Sequence, residues 1–423
     1  FVPLYITING DRLYLVIAYF FKHIVSRKTY KKAGRDENLP NDIEGVIPYG
    51  TIVSDSIVSL KDFRLAGIVE VHPVDFRMLD EFNQNEMIEG GFARVLNSVA
   101  AGQEVDIIKV ERPLILDNFI SDEMARIVTV ADSMEKGELT KAEYEARVDI
   151  IQDRMTTIDD LNSNELILYS RYYLVFYNSS ERELQSLLHR VVLSLQSSGI
   201  EARTLTEKET AAVIRYTLDS NFDERIFSTV KEYRHFFTPK ELRFGFTSTL
   251  QDGKSLTHFV INNYPLRVCN GWGEGLFDLP NTKVVMKLKP VEKFKAIRRI
   301  DNAILEIQTQ NMRNRASDNI EKDTHLQSLQ ELLVSLQNEN DILFDVTAII
   351  TAYDEKGKNT VKKQVRRRLR EMGFGFNEMI GRQKDAYLSS QVCMTDKVNL
   401  SRGIQTSSIA AVFPFISNAI VDD

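Results

Sequence analysis

The sequence predicts an α/β (α+β) protein of repeated strand-helix-strand, ferredoxin-like units with helical insertions. Three observations predict it. Apolar runs of strand length alternate with stretches of helical period along most of the chain. An apolar fraction of 43% beside a charged fraction of 27% is that of a chain able to bury a core. With 423 residues there is room for two or three compact units. The expected division is a basic head over 1–54, α/β units over 55–225 and 226–404, and a short apolar segment over 405–423.

The head comes first. Residues 1–35 carry seven Lys or Arg against Asp11 alone, so a chain of net charge –7 divides into a head of +6 and a body of –13. Leu13 to Phe21 is continuously apolar, with Lys22, Arg27, Lys28, Lys31 and Lys32 behind it. A membrane span needs ~20 apolar residues, and a signal peptide places its cations before the apolar run. An interfacial helix with basic flanks fits this order; a core helix with a solvated end is the alternative. Leu13, Phe20, Phe21 and the five cations are therefore the candidate membrane contacts.

In the first unit Ala66–Val71 reads as a strand. A helix carrying Met87, Ile88, Phe92, Val95, Leu96 and Val99 on one side follows, then a strand at Val105–Val110. An extra charged helical pair, Glu123–Glu135 and Thr140–Asp153, breaks at Gly137. Tyr172–Tyr177 is apolar throughout, as expected of a strand covered on both faces. Ser180 and Glu183 predict a capping box, Leu184 to Leu195 a helix, Gly199 its stop, and Glu201–Leu205 a return to extended chain.

In the second unit Glu241–Leu250 and Ser255–Ile261 are expected to form one hairpin about Asp252-Gly253, a strong turn signal. Lys283–Leu288 reads as a strand leading into a helix opened by Pro290, with Val291, Phe294, Ile297, Ile300, Ile304 and Ile307 as its stripe. Leu326, Leu329, Leu333 and Leu336 predict a second helix. A strand at Ile342–Tyr353 and a helix at Asn359–Met372 complete the unit. Residues 291–337 thus form a second helical insertion.

No catalytic constellation emerges. Gly253-Lys254-Ser255 lacks the glycine a phosphate loop needs five residues earlier, where Ser248 stands, and Gly357-Lys358 fails likewise at Ala352. Both read as turns. Gly271-Trp272-Gly273 does not continue as a dinucleotide fingerprint, because Leu276 stands where a glycine is required. It reads as a structural turn or a docking surface. Cys269 and Cys393 are far apart, and the six histidines, His235 among them, show no ligand spacing. No metal or cofactor residue is expected in this chain.

One segment admits a nucleic-acid reading. Gly373-Phe374-Gly375-Phe376 is similar to an RNA-binding strand, and the helix before it carries Lys362, Arg366 and Arg370. A solvated or acid-paired helix face is the alternative.

Several of these residues carry a family likeness. Tyr264-Pro265 followed by Gly271-Trp272, the strand Val284–Leu288 into Lys289-Pro290, Gln383–Ser390, and Thr406–Ser417 with Phe413-Pro414-Phe415 occur in order. In these motifs the chain resembles the N-terminal portion of the TrbE/CagE-type conjugation ATPase of type IV secretion systems, from about residue 55 onward. Pro3-Leu4-Tyr5, Asn9-Gly10 and Arg27–Tyr30 resemble the end of a small PrgI-type membrane protein. Val392-Cys393 departs from the family's Leu-Pro. The resemblance implies a non-catalytic assembly and membrane-docking domain, peripheral on the cytoplasmic face of the inner membrane. Its partners would be other copies, inner-membrane channel subunits and the membrane surface. ATP and magnesium would belong to a motor domain beyond Asp423, to which 405–423 would be the lead-in.

Overall fold

The computed structural model describes residues 7–8, 11–32, 43–99, 103–113, 117–137, 139–164, 168–219, 222, 226–227, 233, 236–265, 269–311, 319–338, 341–393 and 395–416. Pro3, Leu4, Tyr5, Asn9, Gly10, His235 and Ser417 lie outside the described residues.

The chain opens with the two-residue strands β1 (Thr7–Ile8) and β2 (Asp11–Arg12), helix α1 (Leu13–Val25) and strand β3 (Thr29–Lys31). Strands β4 (Tyr49–Ser54), β5 (Ile57–Leu60) and β6 (Leu65–Val71) form a meander. Next come α2 (Glu81–Asn85), a π-helical segment (Glu86–Ala93), α3 (Arg94–Asn97) and β7 (Val105–Pro113). The helices α4 (Asp117–Glu135) and α5 (Lys141–Asn164) precede β8 (Leu168–Asn178), α6 (Glu181–Ser197), β9 (Ala202–Thr204) and α7 (Glu207–Leu218).

The second half holds β10 (Glu241–Phe244), β11 (Thr249–Gln251), β12 (Lys254–Asn263), α8 (Glu274–Phe277) and β13 (Thr282–Pro290). Helices α9 (Lys293–Asn311) and α10 (Asn319–Asn338) lead to β14 (Leu343–Glu355), α11 (Thr360–Glu371) and β15 (Gly375–Glu378). Helix α12 (Gln383–Ser389), β16 (Arg402–Gln405) and α13 (Thr406–Ala410) end the described chain.

The molecule is a mixed α/β protein built on one large antiparallel sheet. Its pairing repeats. In the first half β9 pairs β6, β6 pairs β8 and β8 pairs β7. In the second, β15 pairs β12, β12 pairs β14 and β14 pairs β13. The halves meet at β7 and β13, antiparallel, with Lys109 opposite Val284 and Val105 opposite Leu288. The helical pairs α4–α5 and α9–α10 follow the C-terminal ends of these two strands, so they leave the sheet at opposite ends.

Strand alternation sorts the apolar residues onto two covered faces. Val69, Ile107, Leu174 and Val284 lie under α6, α11 and the 409–416 segment. Ile68, Ile108, Tyr173 and Val285 lie under α7 and Tyr387 of α12. Coverage on both sides explains why Tyr172–Tyr177 is apolar without alternation.

The stretches 55–225 and 226–404 share this sheet, and β3 and β4 from the head join it. Three expectations about single elements are corrected here. Glu241–Leu250 is not one arm: it turns at 245–248, where Gly245 N–H donates to Ser248 O at 2.8 Å. A Cβ on Gly245 would come within 2.6 Å of that oxygen, so the tight turn requires glycine. Pro290 closes β13 opposite Phe344 rather than opening a helix, and Phe294 is 72% exposed because the helix starting at Lys293 turns Ala296 and Ile300 inward.

At Ser180 half of the capping box forms; Glu183 N–H reaches Ser180 Oγ, while the Glu183 carboxylate accepts from Asn178. The complete box is Thr206 with Glu209, opening α7, a helix the sequence reading passed over. The Asp252-Gly253 turn stands as expected, with φ values of 47° and 86°.

Candidate functional site

The residues of the Tyr-Pro and Gly-Trp motifs come together with the apolar segment from the chain's end. Gly271 N–H donates to Ala411 O at 2.8 Å and Gly273 N–H to Val412 O at 3.2 Å. Trp272 Nε1 donates to Ser408 O at 3.1 Å. Tyr264, Trp272 and Phe374 form an aromatic cluster with centroids 6.0 to 6.3 Å apart, and Pro265 is half-buried beside it.

Glycine is required here for two reasons. Gly271 has φ of +75°, and a Cβ on Gly273 would come within 2.2 Å of Val412. Phe413, Pro414 and Phe415 are buried. Phe413 stacks on Phe76 at 4.5 Å and Phe415 meets Phe92 edge-on at 5.2 Å. Phe413 holds a left-handed φ of 33°, a strain of about 1–2 kcal/mol that burial of its ring offsets. Ile416 bridges to Val74 in the first half, while β16 pairs with β14 in the second. The 402–416 stretch is therefore a strap across both halves.

The basic head is a second surface. Helix α1 rests on the 245–248 turn and the start of α12: Phe20 meets Phe246 at 5.6 Å, Arg382 lies over Tyr19 at 5.2 Å, and Lys22 approaches Asp385 at 3.5 Å. Its other side carries Tyr14, Ile17, Phe21, Ile24 and Val25, at 62% exposure for Phe21 and 87% for Val25. Spacing of i, i+3, i+7, i+10 and i+11 puts them on one face. Leu13 is half-buried, and so are Lys28 and Lys32; Lys31 is exposed on the edge strand β3. Burial lowers the pKa of Lys32 against the pull of Glu44. Arg27 donates to Thr29 O at 3.2 Å and lies over Tyr30. The sequence reading named Phe20 and Phe21 but left out Tyr14, Ile17, Ile24 and Val25, which their helical spacing identifies.

The third candidate, α11, is tied inward. Lys362 pairs with buried Glu378 at 3.2 Å, and Arg366 pairs with the same carboxylate. Phe374 is buried, and Phe376 packs on Phe259 at 5.7 Å. The two aromatics thus serve the core rather than a stacking platform. Arg370 is exposed.

On the face under α7 and α12 runs a line of buried polar groups that sequence reasoning missed, because its members come from distant segments. Asp106 accepts from Lys287 Nζ at 2.7 Å and from the Tyr177 hydroxyl at 2.6 Å. Lys287 also donates to Cys393 O, and Lys283 donates to Thr217 O at 2.8 Å. Burial lowers the Lys283 pKa to about 7. On the first half Glu70, buried, lies among Arg112, Arg171 and Arg203. The ion pairs tie neighbouring strands together, and Lys283 and Lys287 also hold the end of α7 and the chain at Cys393 against the sheet. Among the described residues no group of three His, Cys, Asp or Glu gathers as a metal site.

No family profile matches the chain, and no curated protein matches it either.

Proposed function

We propose that this chain is the non-catalytic assembly and membrane-docking region of a conjugative-transfer (type IV secretion) ATPase. Helix α1 carries the reading: an exposed apolar face, flanked by Lys31 and the other cations, on a helix pinned to the sheet at its back. No helix among the described residues is long and apolar enough to cross a membrane. At 13 residues α1 is about 20 Å long against a hydrocarbon core of about 30 Å, so the proposed contact lies in the interface.

Each half of the sheet is proposed to be a ferredoxin-like unit carrying a helical pair between its second and third strands. The repeated pairing order supports this. The proposed partners are other copies and inner-membrane channel subunits, at the cytoplasmic face. ATP and magnesium are proposed to be held by the motor domain of that ATPase and not by this chain. Nucleic acid is the second reading, supported by exposed Lys363 and Arg370 on α11.

The test is co-sedimentation with vesicles of phosphatidylglycerol and phosphatidylcholine. Binding is expected, weakening with salt and lost in a Phe21→Asp/Ile24→Asp variant whose unfolding midpoint is unchanged. No binding, or binding that survives the substitution, refutes the membrane role. ATP turnover by the purified chain would refute the non-catalytic one.

A further inference from the structure

We propose that the α4–α5 pair is a contact between copies of this chain, the acidic face of one pair seated in the arginine-rimmed groove of the next. This names a surface for the assembly role above and rests on that reading. The two helices form a thin layer: among the side chains described there, Glu123 and Ile151 alone are buried. A helical pair burying so little is stabilised by further packing.

The two faces of that layer differ in charge. One is a groove of about 310 Å³ floored by Val130, Ile150 and Ile151 and rimmed by Arg126, Arg147 and Arg154. Glu123 sits beneath it, accepting from Arg126 at 2.7 Å and lying 3.9 Å from Arg154. At about 3.6 residues per turn, Met124, Val128 and Glu135 fall on the opposite side of α4 from Arg126 and Val130. Asp132 lies beside them. On α5, Glu145, which pairs with Lys141 at 3.7 Å, and Asp149 likewise oppose Arg147 and Arg154. Met124 and Val128 are exposed apolar side chains, and the four acids are exposed as well.

One face thus offers an apolar floor under cations, and the other offers apolar knobs among carboxylates. A contact between unlike faces is heterologous, so each copy keeps one free face for another. Charge complementarity would set its register and make it sensitive to salt.

Sedimentation velocity on the full chain across a wide concentration range tests this. Association is expected at low salt. It should weaken about tenfold or more when the groove is reversed (Arg147→Glu/Arg154→Glu) or the opposite face is reversed (Glu135→Lys/Asp149→Lys). Mixing the two variants should yield a one-to-one pair, since one retains the groove and the other the acidic face. Far-UV circular dichroism checks that each variant folds. A monomer at every concentration, association unmoved by either reversal, or a mixture that does not pair overturns the proposal. Vesicle binding through α1 is read on the same variants. Its loss or retention therefore reports on the membrane role independently.

Discussion

His258 is buried in β12, its Nδ1 3.0 Å from Thr351 Oγ1. Burial first, then nearby Lys283, lowers its pKa from 6.5 to about 3. The sign follows from linkage. Between those values the unfolded chain takes up a proton that the folded chain refuses, so stability falls as pH drops from 6.5 toward 3. The slope is at most about 1.4 kcal/mol per pH unit. Urea unfolding of a His258→Leu variant should show an acid limb shallower by one proton; parallel limbs would refute the assignment. In the sequence His258 was an ordinary packing residue with no ligand spacing, which was legible. Its environment was not, because Thr351 and Lys283 arrive from other strands.

Among the elements, the strap over residues 402–416 owes its seat to two glycines. A side chain at Gly273 meets both the side chain and the backbone oxygen of Val412, and backbone yields less readily than a flexible side chain. Gly273→Ala should therefore destabilise the chain by about 1–3 kcal/mol, read as a lowered urea midpoint. An unchanged midpoint would show that the strap has room to shift. The individual elements were largely legible: Tyr172–Tyr177, the Leu184–Leu195 helix and the Asp252-Gly253 turn all follow from local pattern. Helix α7 was missed although Thr206 and Glu209 announce it, because its Ala211-Ala212-Val213-Ile214 run blurs the period that marks an amphipathic helix. Pro290 misleads because proline is tolerated in a strand where no partner needs its N–H, and pairing of β13 with β7 stops at Leu288. The aromatic motifs were legible as a set, but their closure over 413–415 was not, since more than a hundred residues of sequence separate Trp272 from Ser408.

For the molecule as a whole, a single sheet through both halves predicts a single unfolding event. The only Trp, Trp272, reports on the strap and far-UV circular dichroism on all the helices. Their urea transitions should coincide; separated midpoints would mean that the halves unfold independently. Asp106→Asn should lower both together by about 3–5 kcal/mol, because Lys287 is left buried without its counter-charge at the seam of β7 and β13. That seam was the least legible feature in the sequence. Periodicity tells which residues form a strand and which face they bury, but not which distant strand lies alongside.

The seam also acts as a ruler. Strands β7 and β13 each have nine residues, about 30 Å at ~3.3 Å per residue, and the two helical arms depart from its opposite ends. The roots of the two arms therefore stand some 30 Å apart along the strand direction, so a contact made at one root leaves the other root open.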